Sequence, residues 1–337
     1  MVKRVTVVGA GSWGTALAVV AARAGHEVQL WVRNPDLVDS INRDHVNSIY
    51  LTGTLVPPSV RANGNITQVM DGAELVILAA PSHATRGLLT AMLPSLRSGM
   101  IVVSATKGIE IETGKRISQV VDEVVPDSVR PRFVCLSGPS FAKEVSEGHP
   151  TAVVAASRDS EAARIVQSEL SFENLRIYTN NDVVGTELGG SIKNVMAIAA
   201  GMVAGLGFGS NSVAALITRG LAEITRLGLS EGARLETLMG LAGLGDLVLT
   251  CTGSLSRNRF VGHELGKGRS LDEIAAGMNE IAEGVNTTLA VKRLADRQGV
   301  EMPITSEVHA VLYEKKSARD AALELMTRPL KEEGNRR

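Results

Sequence analysis

Apolar positions fall in two different rhythms along this chain, and the change between them divides it. In the first half they form short continuous runs, beginning with Val5-Thr6-Val7-Val8 and returning at 27–32, 75–80, 100–105, 133–136, 152–155 and 175–178. Unbroken β-branched and aliphatic runs of this length read as parallel strands buried on both faces. Between the first two, Leu17, Val20, Ala21 and Ala24 fall at helical spacing, and Gly25 supplies a stop. Leu88, Leu89, Met92 and Leu93 outline a further amphipathic helix. Residues 34–65 follow neither rhythm, and Pro57-Pro58 with several Asn and Gly predict a loop there. From about Val184 the spacing becomes helical, with segments near 186–204, 212–227, 235–241, 271–276, 287–298 and 304–313. Strands followed by helices predict two domains: an α/β unit with a doubly wound sheet over 1–183 and an all-α unit over 184–330. The charged tail 331–337 is expected to fray. The apolar run 195–208 is rich in Gly and Ala, which suits a closely packed buried helix and is too short to cross a bilayer.

The link between the first strand and the first helix is Gly9-Ala10-Gly11-Ser12-Trp13-Gly14. Strand, glycine turn and helix together form the context of a dinucleotide-binding, Rossmann-type unit. Gly9 permits the tight turn, Gly11 lets the backbone reach a pyrophosphate, and Gly14 lets helix and strand pack closely. The pyrophosphate then sits on free N–H groups at the positive end of the helix. Units that take NAD place an acid after the second strand, to hold the ribose hydroxyls. Here Arg33-Asn34 follow instead. A cation suits a 2′-phosphate, so NADP (NADPH) is the expected cofactor, with NAD as the alternative. The missing acid also argues against S-adenosylmethionine.

Composition removes several classes of function. The net charge is −1 and aromatics make up 3% of residues, which predicts no nucleic-acid or membrane partner. Cys135 and Cys251 are far apart and match no zinc spacing, so two free thiols and no metal are expected. With no signal-peptide pattern at the start, the expected location is cytoplasmic.

Several polar residues break the apolar pattern where chemistry could occur. Lys107 follows the 100–105 strand, at the edge where parallel sheets bind ligands. Ser137-Gly138-Pro139-Ser140 repeats that layout, and both loops should open into one crevice. Lys193 opens the long apolar helix, and burial would lower its pKa enough for acid/base work near neutrality; a lysine snorkelling to solvent is the alternative. Asp246, after Gly243-Leu244-Gly245, could orient a lysine or cap a helix. Ser256 reads as an N-cap with Arg257 and Asn258 in the first turn, a phosphate-binding arrangement. Glu283, in an acidic turn, reads alone as solvated, and His83 has no visible partner.

Taken in order, these stretches resemble the bacterial-type NAD(P)-dependent glycerol-3-phosphate dehydrogenases over nearly the whole chain. The likeness rests on the glycine turn with Trp13, Ala105 to Glu110, Gly138 to Ala142, Gly190 to Asn194, Gly243 to Asp246, Leu249 to Thr252, Ser256 to Arg259, and Ala282 to Val285. It implies reduction of dihydroxyacetone phosphate, a phosphorylated triose, to sn-glycerol 3-phosphate for glycerophospholipid synthesis. It implies Lys193 as the proton-transfer residue, with Lys107 and Asp246 beside it. Substrate contacts carried over are Lys107, Gly138, Ser140, Lys193, Asp246, Ser256, Arg257 and Asn258. Cofactor contacts are Ser12, Trp13, Arg33, Tyr50, Lys107, Ala142, Arg257, Ile281 and Glu283, beside Gly9, Gly11 and Gly14. The chain departs from the family pattern at Thr52, Val56 and Ser191, where Pro, Leu and Ala are expected. The rival readings are a β-hydroxyacid dehydrogenase of the same plan, which the Ser256-Arg257-Asn258 group argues against, and a non-catalytic NAD(P)-binding sensor. A homodimer is the expected assembly.

Overall fold

A computed structural model describes residues 3–278, 282–330 and 332–333. Its first half is an eight-stranded sheet made of β1 (Arg4–Val8), β2 (Glu27–Trp31), β5 (Val60–Asn63), β6 (Leu75–Leu78), β7 (Ile101–Ser104), β8 (Arg132–Ser137), β9 (Thr151–Ala156) and β10 (Leu175–Asn180). The strand order is β10-β9-β8-β7-β6-β1-β2-β5, and every pair is parallel except β8 with β9. The order reverses at β1, so the carboxyl ends of β1 and β6 flank the crevice where such sheets bind ligands. The helices of this half are α1 (Ser12–Arg23), α2 (Pro35–Asp39), α3 (Ile66–Met70), α4 (Ser82–Met92), α5 (Ile117–Val124), α6 (Ala142–Glu147) and α7 (Ser160–Leu170). Gly25 has a φ of +91°, as a helix stop requires.

The structure corrects the irregular reading of residues 34–65. Pro35 and the Asn34 side chain start α2, a hairpin of β3 (Val46–Asn47) and β4 (Leu51–Leu55) follows, and β5 closes the sheet edge. Strands of two to five residues built on Asn, Thr and Gly carry no period that a sequence pattern can detect. Helices α3, α5, α6 and α7 are likewise too short or too charge-rich for the apolar spacing to predict them.

The second half is helical: α8 (Val183–Gly205), α9 (Ser210–Ser230), α10 (Leu235–Leu238), α11 (Asp246–Thr252), α12 (Arg257–Gly266), α13 (Leu271–Ala275), α14 (Glu283–Gln298), α15 (Pro303–Tyr313) and α16 (Ala318–Met326). Helix α8 is the axis of this half. It is long and apolar enough to cross a membrane by composition, yet its residues from Gly185 to Met202 are buried among the other helices. Glycine makes this possible. Gly201 and Gly205 face Gly262 and Gly266 of α12 so closely that a Cβ at Gly201 would lie 2.9 Å from the Gly262 Cα. Backbone rests on backbone, and the start of α12 is thereby held beside the middle of α8.

The two halves interlock. The segment after β7 leaves the sheet, and Ile109, 0% exposed, lies in the helical core rather than the sheet core. Asn194 donates to the Lys107 carbonyl at 3.1 Å, and Arg297 donates to that of Thr113 at 3.2 Å. Arg116 forms a buried ion pair with Glu187 of α8 at 2.7 Å, and Ser118 donates to the same carboxylate through both its backbone and its hydroxyl.

Candidate active site

At the carboxyl end of β1 the glycines are fixed by close approach. Gly9 has a φ of +116°, and a Cβ there would lie 2.6 Å from the Ala79 carbonyl oxygen. A Cβ on Gly14 would strike the Gly9 carbonyl, whereas one on Gly11 would meet no atom of the described residues within 4 Å. Among the described residues no side chain caps α1, so its first turn presents backbone N–H groups to that open side. Beside them the Trp13 indole nitrogen is buried without a hydrogen-bond partner among the described residues. An open, uncapped helix start with an orphaned donor fits the pyrophosphate and nicotinamide portion of a dinucleotide.

Next to this turn three charged side chains from distant parts of the chain converge. Lys193 donates to Asp246 Oδ1 at 2.6 Å and to the Thr250 hydroxyl at 2.8 Å. Lys107 donates to Asp246 Oδ2 at 2.9 Å, to the Gly138 carbonyl at 2.9 Å and to the Ser140 hydroxyl at 3.3 Å. Its ammonium also stands 5.8 Å from the centre of the Trp13 ring. Asp246 is 0% exposed and Lys193 is 6% exposed. Burial pushes the Lys193 pKa down to about 8, with Asp246 opposing that fall. Burial also favours the neutral form of Asp246, but the two ammonium groups outweigh it and hold the carboxyl below its ordinary value. Two ammonium groups share one carboxylate, so an excess of positive charge is left for a developing oxyanion.

Local structure explains how each arrives there. Lys193 does not open its helix, as the sequence suggested: α8 begins ten residues earlier, capped by Asp182, which accepts from the Gly185 N–H at 2.8 Å. Lys193 therefore sits mid-helix, where its backbone is fully bonded and its position firm. Asp246 caps nothing. It starts α11 after a π-helical turn at Leu241–Gly245, and its carboxylate is given over to the lysines. A Cβ on Gly189 would lie 2.6 Å from the Ala242 carbonyl oxygen, which is how this turn lies flush on α8. Gly138 has a φ of +140° and packs on Val153, so its carbonyl turns toward Lys107.

Ser256 caps α12 as its sequence predicts, accepting from the Arg259 N–H at 3.2 Å. Asn258 donates to Asn194 Oδ1 at 3.0 Å and accepts from the Gly284 N–H at 2.8 Å, so its amide joins α8, α12 and α14. Arg257 is exposed at the first turn of α12. Glu283 is only partly exposed, and it is bonded across to the other half. Its carboxylate accepts from the Ser82 hydroxyl at 2.6 Å and from the Ser82 N–H at 3.0 Å, bridging the two halves. Arg33 is exposed just past β2, Ser12 and Ala142 begin α1 and α6, and Tyr50 packs on the sheet core. His83 is exposed on α4, and Ile281 lies outside the described residues. Both cysteines are free and buried, and no cluster of metal-ligating side chains occurs among the described residues.

Comparison with known proteins decides the family. The N-terminal model of the NAD-dependent glycerol-3-phosphate dehydrogenases matches residues 4–163, and the C-terminal model matches residues 182–323. A glycerol-3-phosphate dehydrogenase [NAD(P)+] of Koribacter versatilis is 56% identical over 328 residues, 97% of each chain. One from Geobacter sulfurreducens is 52% identical over 333 residues, 99% of each chain. The chain belongs to the NAD-dependent glycerol-3-phosphate dehydrogenase family. The crystal structure of a glycerol-3-phosphate dehydrogenase from Coxiella burnetii superposes with a TM-score of 0.93 at 39% identity, covering 97% of this chain and 99% of that one.

Within this glycerol-3-phosphate dehydrogenase fold, two polar side chains at the centre were not singled out from the sequence. Thr250 touches Lys193, and Asn194 ties Lys107 to Asn258. Both lie inside the quoted motifs, and each stands one or four positions from a named residue on a helix, which is the only signal the sequence offers. Ser82 is a third, visible only through its bond to Glu283.

Proposed function

We propose that this chain is an NAD(P)-dependent oxidoreductase that reduces dihydroxyacetone phosphate to sn-glycerol 3-phosphate, in the cytoplasm and as a homodimer, for glycerophospholipid synthesis. The observation that carries the reading is the Lys193–Asp246–Lys107 group beside the glycine turn. NADPH, when bound, supplies the hydride that the carbonyl carbon accepts. Negative charge then grows on the carbonyl oxygen. Lys193 in its ammonium form stabilises that charge and delivers the proton to the oxygen. Asp246 keeps the Lys193 ammonium in place, and Lys107 adds a second positive charge from the sheet side. The division of labour follows a boundary near residue 183, with most cofactor residues before it and most substrate residues after it, while Arg257, Ile281 and Glu283, in the helical half, are also assigned to the cofactor.

The phosphate of the substrate is assigned to the start of α12. Arg257 offers a bidentate guanidinium and the helix offers its positive end. Wild-type protein should reduce unphosphorylated dihydroxyacetone with far lower kcat/KM than the phosphate ester. Arg257→Ala should narrow that gap by about tenfold or more, the effect of losing one charge-assisted anchor. An unchanged ratio of efficiencies for the two substrates would place the phosphate elsewhere.

The direct test follows reduced-nicotinamide absorbance with NADPH and three acceptors. Oxidation with dihydroxyacetone phosphate supports the reading. Oxidation only with an unphosphorylated keto acid would favour a β-hydroxyacid dehydrogenase, and binding without turnover a sensor. Cofactor choice is tested separately. Arg33 is exposed where an acid would hold the ribose of NAD. Arg33→Ala should raise KM for NADPH severalfold more than KM for NADH, and equal rises would remove Arg33 from 2′-phosphate recognition.

A further inference from the structure

Asn47 lies in the β3–β4 hairpin, far in sequence from the glycine turn, yet its side chain is 0% exposed beside it. Its Nδ2 donates to the Ala10 carbonyl at 2.9 Å and to the Thr15 hydroxyl at 2.8 Å. Its Oδ1 accepts from the Tyr50 N–H at 2.9 Å and from the Ile49 N–H at 3.3 Å. The orientation of the amide is forced, because a backbone N–H can only donate and a carbonyl can only accept. All of its hydrogen-bonding capacity is used. Ala10 stands between Gly9 and Gly11, and Thr15 is in the first turn of α1.

We infer that Asn47 is a positioning residue for the cofactor, which shapes the pyrophosphate-binding turn and fixes Tyr50 to it through one buried amide. Drawing the Ala10 carbonyl inward fixes that peptide plane, and the Gly11 N–H at its other end points the opposite way, away from Asn47. Thr15 reinforces the same carbonyl at 3.4 Å. The hairpin is itself anchored on its far side, where Thr54 and Ser146 of α6 share a hydrogen bond of 2.9 Å. The amide therefore works from a fixed support. Because the pyrophosphate is common to NADPH and NADH, Asn47 should affect both alike, unlike Arg33. This inference rests on the assignment of the glycine turn to the cofactor.

The test measures Kd for NADPH and NADH by nicotinamide fluorescence, with kinetics and thermal unfolding, for Asn47→Ala, Thr15→Ala and Gly11→Val. Removing the amide takes the acceptor from the Tyr50 N–H and leaves the Ala10 carbonyl only the longer Thr15 hydrogen bond. The expected result for Asn47→Ala is a loss of about tenfold or more in affinity for both cofactors by a similar factor, equivalent to roughly 1.4 kcal/mol. KM for dihydroxyacetone phosphate and kcat at saturating cofactor should stay within about twofold, a split that general loosening of the fold would not give. Unchanged cofactor affinity, or a loss shared equally with KM for dihydroxyacetone phosphate, overturns the inference. Gly11→Val separates it from its foundation: if that variant also binds cofactor normally, the turn assignment fails, and if it alone loses binding, only the role of Asn47 fails. Should Asn47→Ala not fold, Thr15→Ala carries the decision, with a smaller loss for both cofactors expected and no loss overturning the role.

Discussion

Lys193→Met should lower kcat for dihydroxyacetone phosphate reduction by roughly a hundredfold to ten-thousandfold, the range that general acid–base catalysis contributes. Methionine fills nearly the same space, so the packing of α8 should hold, and Kd for NADPH should barely move. The pH profile supplies the sharper test. Burial holds the Lys193 pKa down at about 8. Reduction needs the ammonium form, so kcat/KM for dihydroxyacetone phosphate should fall as pH rises through about 8. Oxidation of glycerol 3-phosphate needs the neutral amine, so its rate should rise through the same pH. Both limbs should vanish in the methionine variant. Near-normal turnover, or persistence of the limbs, would remove Lys193 from the proton path.

Asp246→Asn should be nearly as damaging, and for a different reason. The carboxylate is fully buried and is the shared counter-ion of two ammonium groups. The amide preserves shape but leaves both charges uncompensated, and removing one partner of a buried pair costs about 3–5 kcal/mol. Part of that cost is avoided if a lysine gives up its proton. Asp246 is what opposes the effect of burial on Lys193, so without it the Lys193 pKa falls further. At neutral pH a larger fraction of the residue is then neutral and cannot act as an acid. The expected result is a loss in kcat/KM of about a hundredfold or more at neutral pH, with the alkaline limb of the reduction profile displaced toward acid. If the limb remains near the wild-type position, Asp246 does not hold the Lys193 proton.

How far the site could be read from sequence follows from how local each signal is. Lys193 announces itself as a charge among apolar neighbours, and the glycine turn is recognisable because strand and helix flank it. Ser256 is legible because capping is decided within four residues. Asp246 is half-legible: its turn is visible, but its two lysine partners are 53 and 139 positions away. Glu283 misleads, because an acid at a helix start normally faces solvent and its partner Ser82 lies 201 positions away. Asn47 is invisible among other turn-forming residues until the hairpin folds over α1. The sheet followed the same rule, since every long apolar strand was recognisable and the short polar strands β3, β4 and β5 were not.

The ion pair between Arg116 and Glu187, together with Ile109 in the helical core, means that the order of residues along the chain is not the order in which the protein can be taken apart. Cutting near residue 183 would leave the helical half with a vacancy where Ile109 sat and a carboxylate buried without its guanidinium. A chimera that borrows a nucleotide-binding half from another dehydrogenase should therefore retain residues 106–118 of this chain with its helices. Lys107 travels with that piece, so the charged trio is inherited whole or not at all.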